Sequence, residues 1–267
     1  TKGMQTSGKK LPGAYGANEP KQNAANLRTK GWELMLTWND AFKLANKPFR
    51  YNLSVGLADN TSEITKFDNP SKILSDYYVG QKLGDIWGYV VDGLFRTDEE
   101  AASYNVDQSA VNFVINTAQV NPGLHAGDMK FVDLDGDHKI SSGSNTADDP
   151  GDRKIIGNSL PRYTYSIQGG FDWYGFDFSI YLQGVGHQDW YPGTNSVFFW
   201  GPYARPYSSF IPRDFLSNVW SPENPDAYFP RPIGYLALGN NRSLGVVNDR
   251  YLQNLAYCRV KNITVGY

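Results

Sequence analysis

Apolar and polar residues alternate most cleanly between Arg162 and Gly186, on both sides of the dipeptide Tyr174-Gly175. A period of two is typical of a β-strand that has one apolar and one polar face. The apolar positions are Tyr163, Tyr165, Ile167, Phe171, Trp173, Phe176, Phe178, Ile180 and Leu182. The polar positions are Thr164, Ser166, Gln168, Asp172, Asp177, Ser179 and Gln183. The pattern therefore predicts two antiparallel strands joined by a tight turn at Tyr174-Gly175.

Two further segments, 27–39 and 48–64, repeat this alternation and predict a second hairpin with a short link at 40–47. Their apolar positions are Trp32, Leu34, Leu36, Trp38, Phe49, Tyr51, Leu53, Val55 and Leu57. We expect residues 1–27 to be a loop, apart from 1–4, which could end an earlier strand. Segment 255–267 predicts a last strand, and its disturbed phase at 259–261 indicates a β-bulge.

Strands of this kind need an apolar partner for one face and water for the other. A soluble sandwich would bury the apolar face against a second sheet. A transmembrane barrel would turn the same face to lipid and the polar face to an aqueous lumen. The aromatic residues near the strand ends favour the barrel, because Trp and Tyr concentrate at membrane interfaces.

The alternation fails in two long regions, 64–160 and 187–250. Eight of the fifteen prolines lie between Pro192 and Pro232, where they would remove donors from a sheet. Connections of this length count against a compact soluble domain, whereas the extracellular loops of a membrane barrel tolerate them. Within the first region, Thr97 and Glu100 fit a capping box, which predicts a short helix over about 99–106.

Composition narrows the classes of function. Aromatic residues make up 15% of the 267 residues, which suits both bilayer interfaces and carbohydrate sites. The formal net charge of −2 offers no basic surface for nucleic acid. A single cysteine, Cys258, excludes an intrachain disulfide. The chain shows no signal-peptide pattern at Thr1 and stops within a strand-like run, so we expect a fragment of a longer protein.

A candidate calcium loop begins at Asp133. Its alternating carboxylates match positions 1, 3 and 5 of an EF-hand loop, and the Lys139 carbonyl matches position 7. The match is imperfect, because His138 replaces the glycine of the sharp turn and Ser144 replaces the bidentate Glu. The alternative is an Asx-rich turn without an ion, so Ca²⁺ is possible and no cofactor is required. The candidate ligands are Asp133, Asp135, Asp137, Lys139 and Asp148.

Aromatic residues crowd the proline-rich region and could stack on a sugar ring or on the side chains of a peptide. The alternative is that these rings pack the region on itself or against a partner protein. The candidate substrate-binding residues are Trp190, Tyr191, Trp200, Tyr203 and Tyr207.

No pattern in the sequence predicts an enzyme. The three histidines match no zinc spacing, and there is no GxSxG motif. The acidic run Asp98, Glu99 and Glu100 is explained by the preference for negative charge at a helix N-terminus.

Seven motifs in order along the chain resemble the C-terminal barrel region of the SusC/RagA family of TonB-dependent outer-membrane transporters. They are KGWEL, VGQKLGDIWGYVVDGLF, GDMKFVDLDGDHKI, IIGNSLPRYTYSIQGG, GFDFSIYLQGVG, VWSPENP and YCRVKNITVGY. The resemblance implies that residues 1–267 are a partial region of an all-β, 22-stranded antiparallel transmembrane barrel, without the plug domain. It also implies that 64–160 and 187–250 are long extracellular loops.

The same resemblance implies import of glycan or peptide fragments across the outer membrane of Bacteroidetes. The implied partners are a SusD-like surface lipoprotein, the TonB complex through the missing N-terminal region, the lipid bilayer, and an oligosaccharide or peptide substrate. Two competing interpretations remain open. One is a soluble carbohydrate-binding β-sandwich, and the other is a glycoside hydrolase, which would need two facing carboxylates.

Overall fold

The computed structural model describes residues 1–7, 16, 21–111, 123–204, 211–239 and 242–267. Its strands are β1 (Met4–Ser7), β2 (Lys21–Leu44), β3 (Lys47–Lys66), β4 (Asp85–Tyr89), β5 (Val91–Leu94), β6 (Met129–Phe131), β7 (Arg153–Asn158), β8 (Arg162–Trp173), β9 (Phe176–His187), β10 (Asp189–Trp190), β11 (Gln253–Asn254) and β12 (Tyr257–Gly266). The α-helices are α1 (Asp98–Ser103) and α2 (Val197–Trp200), and short 3-10 helices span Gly201–Tyr203, Phe215–Asn218 and Tyr235–Leu238. None of the helices in the described ranges has the length and apolar character needed to cross a membrane.

The main sheet has six antiparallel strands in the order β1-β2-β3-β8-β9-β12. Each predicted hairpin joins neighbouring strands, and the two long regions connect β3 to β8 and β9 to β12. This arrangement confirms the all-β antiparallel prediction.

The two hairpin turns contain residues with positive φ. At Tyr174 and Gly175 φ is 52° and 89°, as the predicted tight turn requires. At Ala45 and Asn46 φ is 50° and 61°. The predicted link at 40–47 is therefore wrong in extent: β2 continues to Leu44, and only two residues turn. Asn tolerates the left-handed conformation, which lets the strands pair up to the turn itself.

Two other boundaries also differ from the predictions. β2 begins at Lys21, inside the predicted loop at 1–27, because its first residues pair with β1. The predicted helix ends at Ser103 rather than near 106. Its cap is as expected, since the Glu100 amide donates to the Thr97 hydroxyl at 3.2 Å, while the Glu100 carboxylate accepts from the Arg96 amide at 2.8 Å.

Strand register confirms the predicted division of faces. Directly paired residues of antiparallel strands share a face. One row joins Phe42, Phe49, Trp173 and Phe176, and the Phe49 and Phe178 rings both stack on Phe171 with centroids 5.4 Å apart. The opposite face carries Thr164, Ser166, Gln168, Asp177, Ser179 and Gln183. The predicted bulge in β12 is present at Lys261, between Val260 and Asn262.

No second layer covers the apolar face in the described part of the chain. The Leu36, Trp38 and Val265 side chains are 62%, 61% and 69% exposed. The other sheets have two strands each and lie in the long connections. A sandwich would bury these side chains, so the sandwich interpretation fails.

The hydrophobic core lies instead in the parts of 67–161 and 188–256 that pack on each other, which we call the loop module. Its fully buried side chains include Phe95, Met129, Phe131, Ile140, Trp200, Tyr203, Leu244 and Tyr251. The module is fastened to the sheet beside the end of β3, where the Ile64 amide donates to the Gln81 carbonyl at 2.9 Å. A bidentate ion pair between Arg162 and Asp59, with both N···O distances 2.6 Å, ties β8 to β3 at the same level.

Candidate functional sites

Three carboxylates converge in the predicted calcium loop. Atoms of Asp133, Asp135 and Asp137 lie within 4.8 Å of one another. The loop is turned by amide donors, because Asp133 accepts from Gly136 at 2.7 Å and from His138 at 2.9 Å. Asp137 accepts from the Lys139 amide at 2.8 Å, which places Lys139 directly beside the cluster.

His138 adopts the left-handed conformation, with φ of 63°. The sequence suggests a mismatch at this position, because an EF-hand loop has glycine there. The structure shows that histidine makes the same kind of turn, and its ring Nδ1 lies 3.2 Å from the Asn105 carbonyl. The replacement of glycine by His138 therefore does not prevent the carboxylates from converging.

Asp148 does not join the cluster. Its carboxylate pairs with the Lys72 ammonium at 2.7 Å, on the other side of the loop region. The prediction of Asp148 as a ligand is therefore wrong, because Lys72, 76 residues away in sequence, neutralises it.

Asp152 is the residue of this loop that the sequence pattern did not single out for support. Its side chain is fully buried and accepts from the amides of Leu134 and Ser141, both at 2.7 Å. It thus closes the loop at its two ends. A buried aspartate is expected where backbone amides need an acceptor, but the spacing of Asp152 gives no signal of that role.

The electrostatics of the cluster differ between its members. Desolvation opposes ionisation of Asp133, but amide donors from Gly136 and His138 outweigh it and lower its pKa. For Asp135 the Asp137 amide favours the charged form, yet desolvation and the charges of Asp152, Asp137 and Asp133 raise its pKa. A cation would relieve this repulsion, and calcium binding stays a prediction.

Two of the candidate substrate-binding aromatics are core residues. Trp200 and Tyr203 are 0% and 1% exposed. The Trp200 indole donates to the Gly193 carbonyl at 3.0 Å, and the Tyr203 hydroxyl donates to the Pro230 carbonyl at 2.5 Å. Their proposed role in stacking on a substrate is therefore wrong, because no ring face reaches solvent.

The other three candidates have different outcomes. The Tyr191 hydroxyl points inward, where it donates to the Val246 carbonyl and accepts from Asn248, both at 2.9 Å, and burial raises its pKa. Tyr207 lies outside the described residues. Trp190 is 41% exposed and is the candidate whose ring solvent reaches.

A buried ion pair joins the two long connections. Asp128, 1% exposed, accepts from the Arg231 guanidinium at 2.6 and 3.3 Å and from the His125 amide at 3.0 Å. These residues are about a hundred positions apart, so their partnership leaves no trace in local sequence patterns.

The fold defines a segment of an antiparallel barrel wall that carries a packed loop module at one end. Its similarity to a solved structure, that of the RagAB peptide importer in the closed-closed state, has a TM-score of 0.57 at 14% identity. The match covers 99% of this chain and 25% of that chain. At this identity the likeness shows the fold.

Sequence comparison gives relatives with names. The chain is 24% identical to TonB-dependent receptor P39 and to TonB-dependent receptor P3 of Formosa agariphila, over 96% of its length in both cases and over 25% and 23% of theirs. It is also 24% identical to TonB-dependent receptor SusC of Bacteroides thetaiotaomicron, over 92% of its length and 21% of that protein. No family model matches the chain.

The chain is therefore a homologue of the TonB-dependent receptors of the SusC/RagA family, as the order of its motifs predicted. It spans about a quarter of the length of the curated relatives that it matches. TonB-dependent receptors such as SusC are outer-membrane proteins, which agrees with the predicted location in the cell outer membrane. These relatives are named as receptors and not as enzymes.

Proposed function

We propose that the protein takes part in TonB-dependent import of glycan or peptide fragments across the outer membrane. In this proposal the main sheet is part of the barrel wall, and the loop module is on the extracellular side. Substrate would meet the loop module first and then pass along the polar face of the sheet. The reaction is transport, so no catalytic residue is assigned.

One observation carries the proposal, namely the uncovered apolar face of the main sheet. Side chains such as Leu36, Trp38 and Val265 would be unstable in water over so large an area, and lipid is the environment that accepts them. Adjacent positions on the opposite face, such as Thr37 and Thr264, are polar, as a water-filled lumen requires.

The proposed partners follow from the relatives. RagAB is a peptide importer by its name, and SusC is a TonB-dependent receptor, so we infer a SusD-like surface lipoprotein and the TonB complex as partners. The names of these relatives support both peptide and glycan fragments as substrate classes. The loop module offers the surface on which a lipoprotein partner would rest.

Uptake by living cells tests the proposed function. Cells that produce the complete protein are given fluorescent hexasaccharides or hexapeptides, with and without an uncoupler of the proton-motive force. We expect accumulation that is lost when the gene is deleted and when the uncoupler is present. Accumulation that is equal in the deletion strain, or that persists without energy, would contradict the proposal.

A further inference from the structure

Trp190 and Tyr228 share a setting on the surface of the loop module. Each ring is partly exposed, at 41% and 38%, and each packs on a core ring. Trp190 meets Phe199 at 6.5 Å and 87°, and Tyr228 meets Tyr251 at 5.3 Å and 89°. Because the core holds both rings in place, little conformational entropy would be lost when a ligand packs against them.

Gln253 links the two rings. It lies directly opposite Trp190 in the β10–β11 pair, so the two side chains are neighbours on one face of the ribbon. Its amide nitrogen donates to the Tyr228 hydroxyl at 2.9 Å and to the Tyr251 carbonyl at 2.8 Å. Trp190, Gln253 and Tyr228 therefore form one surface, which we call the Trp190 platform.

The charged groups nearest the platform are engaged elsewhere. The Arg250 guanidinium donates to the backbone carbonyls of Ala227 and Tyr228 at 2.5 and 3.1 Å. Asp189 precedes Trp190 in the strand, so its side chain points to the opposite face, where it is buried against the Asn158 amide and His187. The polar groups that the platform offers are thus an amide and a phenol, both uncharged.

We propose that the Trp190 platform is a binding site for a neutral oligosaccharide. A sugar ring has an apolar C–H face and a rim of hydroxyl groups. The C–H face packs on an aromatic ring, and the hydroxyl groups exchange hydrogen bonds with an amide and a phenol. A charged peptide would find no ionic partner on this surface. The inference rests on the proposed function and narrows its substrate class from glycan or peptide to glycan.

Binding to outer-membrane vesicles tests the inference, with vesicles from cells that produce the complete protein. The probes are fluorescent cellohexaose, xylohexaose, mannohexaose and laminarihexaose, together with a set of fluorescent hexapeptides. We expect saturable binding of at least one hexasaccharide, weakened about tenfold or more by Trp190→Ala. Tyr228→Phe and Gln253→Ala should weaken it less, because each keeps the Trp190 ring.

Phe198→Ala is the matched control, because Phe198 is an aromatic residue on the same module, 81% exposed, and not part of the platform. It should leave the affinity unchanged. The inference is overturned if no hexasaccharide binds, if hexapeptides alone bind, or if Trp190→Ala and Phe198→Ala have equal effects.

Uptake measured on the same strains separates this inference from the proposed function. If wild-type cells import a hexasaccharide and Trp190→Ala binds it normally, the platform is wrong and the import function stands. If Trp190-dependent binding is found but no energised uptake, the platform stands and the import function is wrong.

Discussion

The Tyr165 hydroxyl donates a hydrogen bond to the backbone carbonyl of Tyr257 at 3.1 Å, across the intervening strand β9. The ring lies over Gly184, where an added Cβ would come within 2.3 Å of Tyr165 Cζ. Three strands are thus braced by one side chain. The absence of a side chain at Gly184 is what allows the ring to lie flat on the sheet.

Gly184→Ala should therefore displace the Tyr165 ring and destabilise the protein by about 1–3 kcal/mol, as overpacking does in other proteins. Thermal unfolding of the purified protein in detergent measures this. Gly193→Ala is the control, because an added Cβ there meets no atom within 4 Å. Equal melting temperatures for the two variants would contradict the brace.

A second prediction concerns Trp200, which the sequence places among candidate ligand contacts and the structure places in the core. Trp200→Ala should destabilise the loop module by roughly 3–5 kcal/mol, because it removes a large buried ring. Limited proteolysis of intact cells should then cut the module faster. Trp190→Ala should leave the digestion rate close to that of the wild type. Similar resistance in Trp200→Ala and wild type would show that the core assignment is wrong.

The buried Asp128–Arg231 pair gives a third prediction. Arg231→Ala leaves the Asp128 carboxylate buried without its cation and should destabilise the loop module by about 3–5 kcal/mol. The double variant Asp128→Ala/Arg231→Ala should be less destabilised than the sum of the single changes. Thermal unfolding of all four proteins completes the cycle, and strictly additive effects would mean that the two residues are not coupled.

Calcium binding gives a fourth prediction, measured by calorimetry. The raised pKa of Asp135 means that this group takes up a proton first as the pH falls, whereas Asp133 stays charged to lower pH. Protons compete with the ion, so the affinity for Ca²⁺ should decrease as the pH falls through the range just above the usual pKa of Asp. Near neutral pH, where all three carboxylates are charged, binding should be strongest.

Asp135→Ala should abolish this calcium signal, and Asp148→Asn is its matched control. Asp148 pairs with Lys72 outside the cluster, so its substitution should leave the titration unchanged. Identical titrations for wild type and Asp135→Ala would remove the site and favour the Asx-rich turn.

The limits of the sequence-based predictions follow from which interactions are local. The faces of β8 and β9 could be predicted because alternation along a strand decides which side each residue takes. The turn at Ala45-Asn46 was missed because Asp40 interrupts the apolar stripe, although it lies opposite Tyr51 in the paired strands. Alternation fails where backbone geometry, and not side-chain polarity, sets the boundary.

Burial in the loop module could not be predicted for a different reason. Trp200 and Trp190 lie in the same aromatic run, and local sequence does not distinguish them. Trp200 is buried because Tyr251, 51 residues later, packs on it at 5.3 Å, whereas Trp190 lies at the rim of the same cluster. Likewise, Asp148 resembles a ligand until the fold brings Lys72 to it.

The last prediction tests the uncovered face on which the proposed function depends. Leu36 and Thr37 are adjacent in β2 and point to opposite faces of the main sheet. If the face that bears Leu36 meets lipid, Leu36→Arg places a charge in the bilayer and should destabilise the folded protein by about 2–4 kcal/mol. Thr37→Arg places the same charge on the polar face, where water solvates it. Folding of the complete protein into lipid vesicles measures both changes, and a larger loss for Thr37→Arg than for Leu36→Arg would reverse the assignment of the two faces.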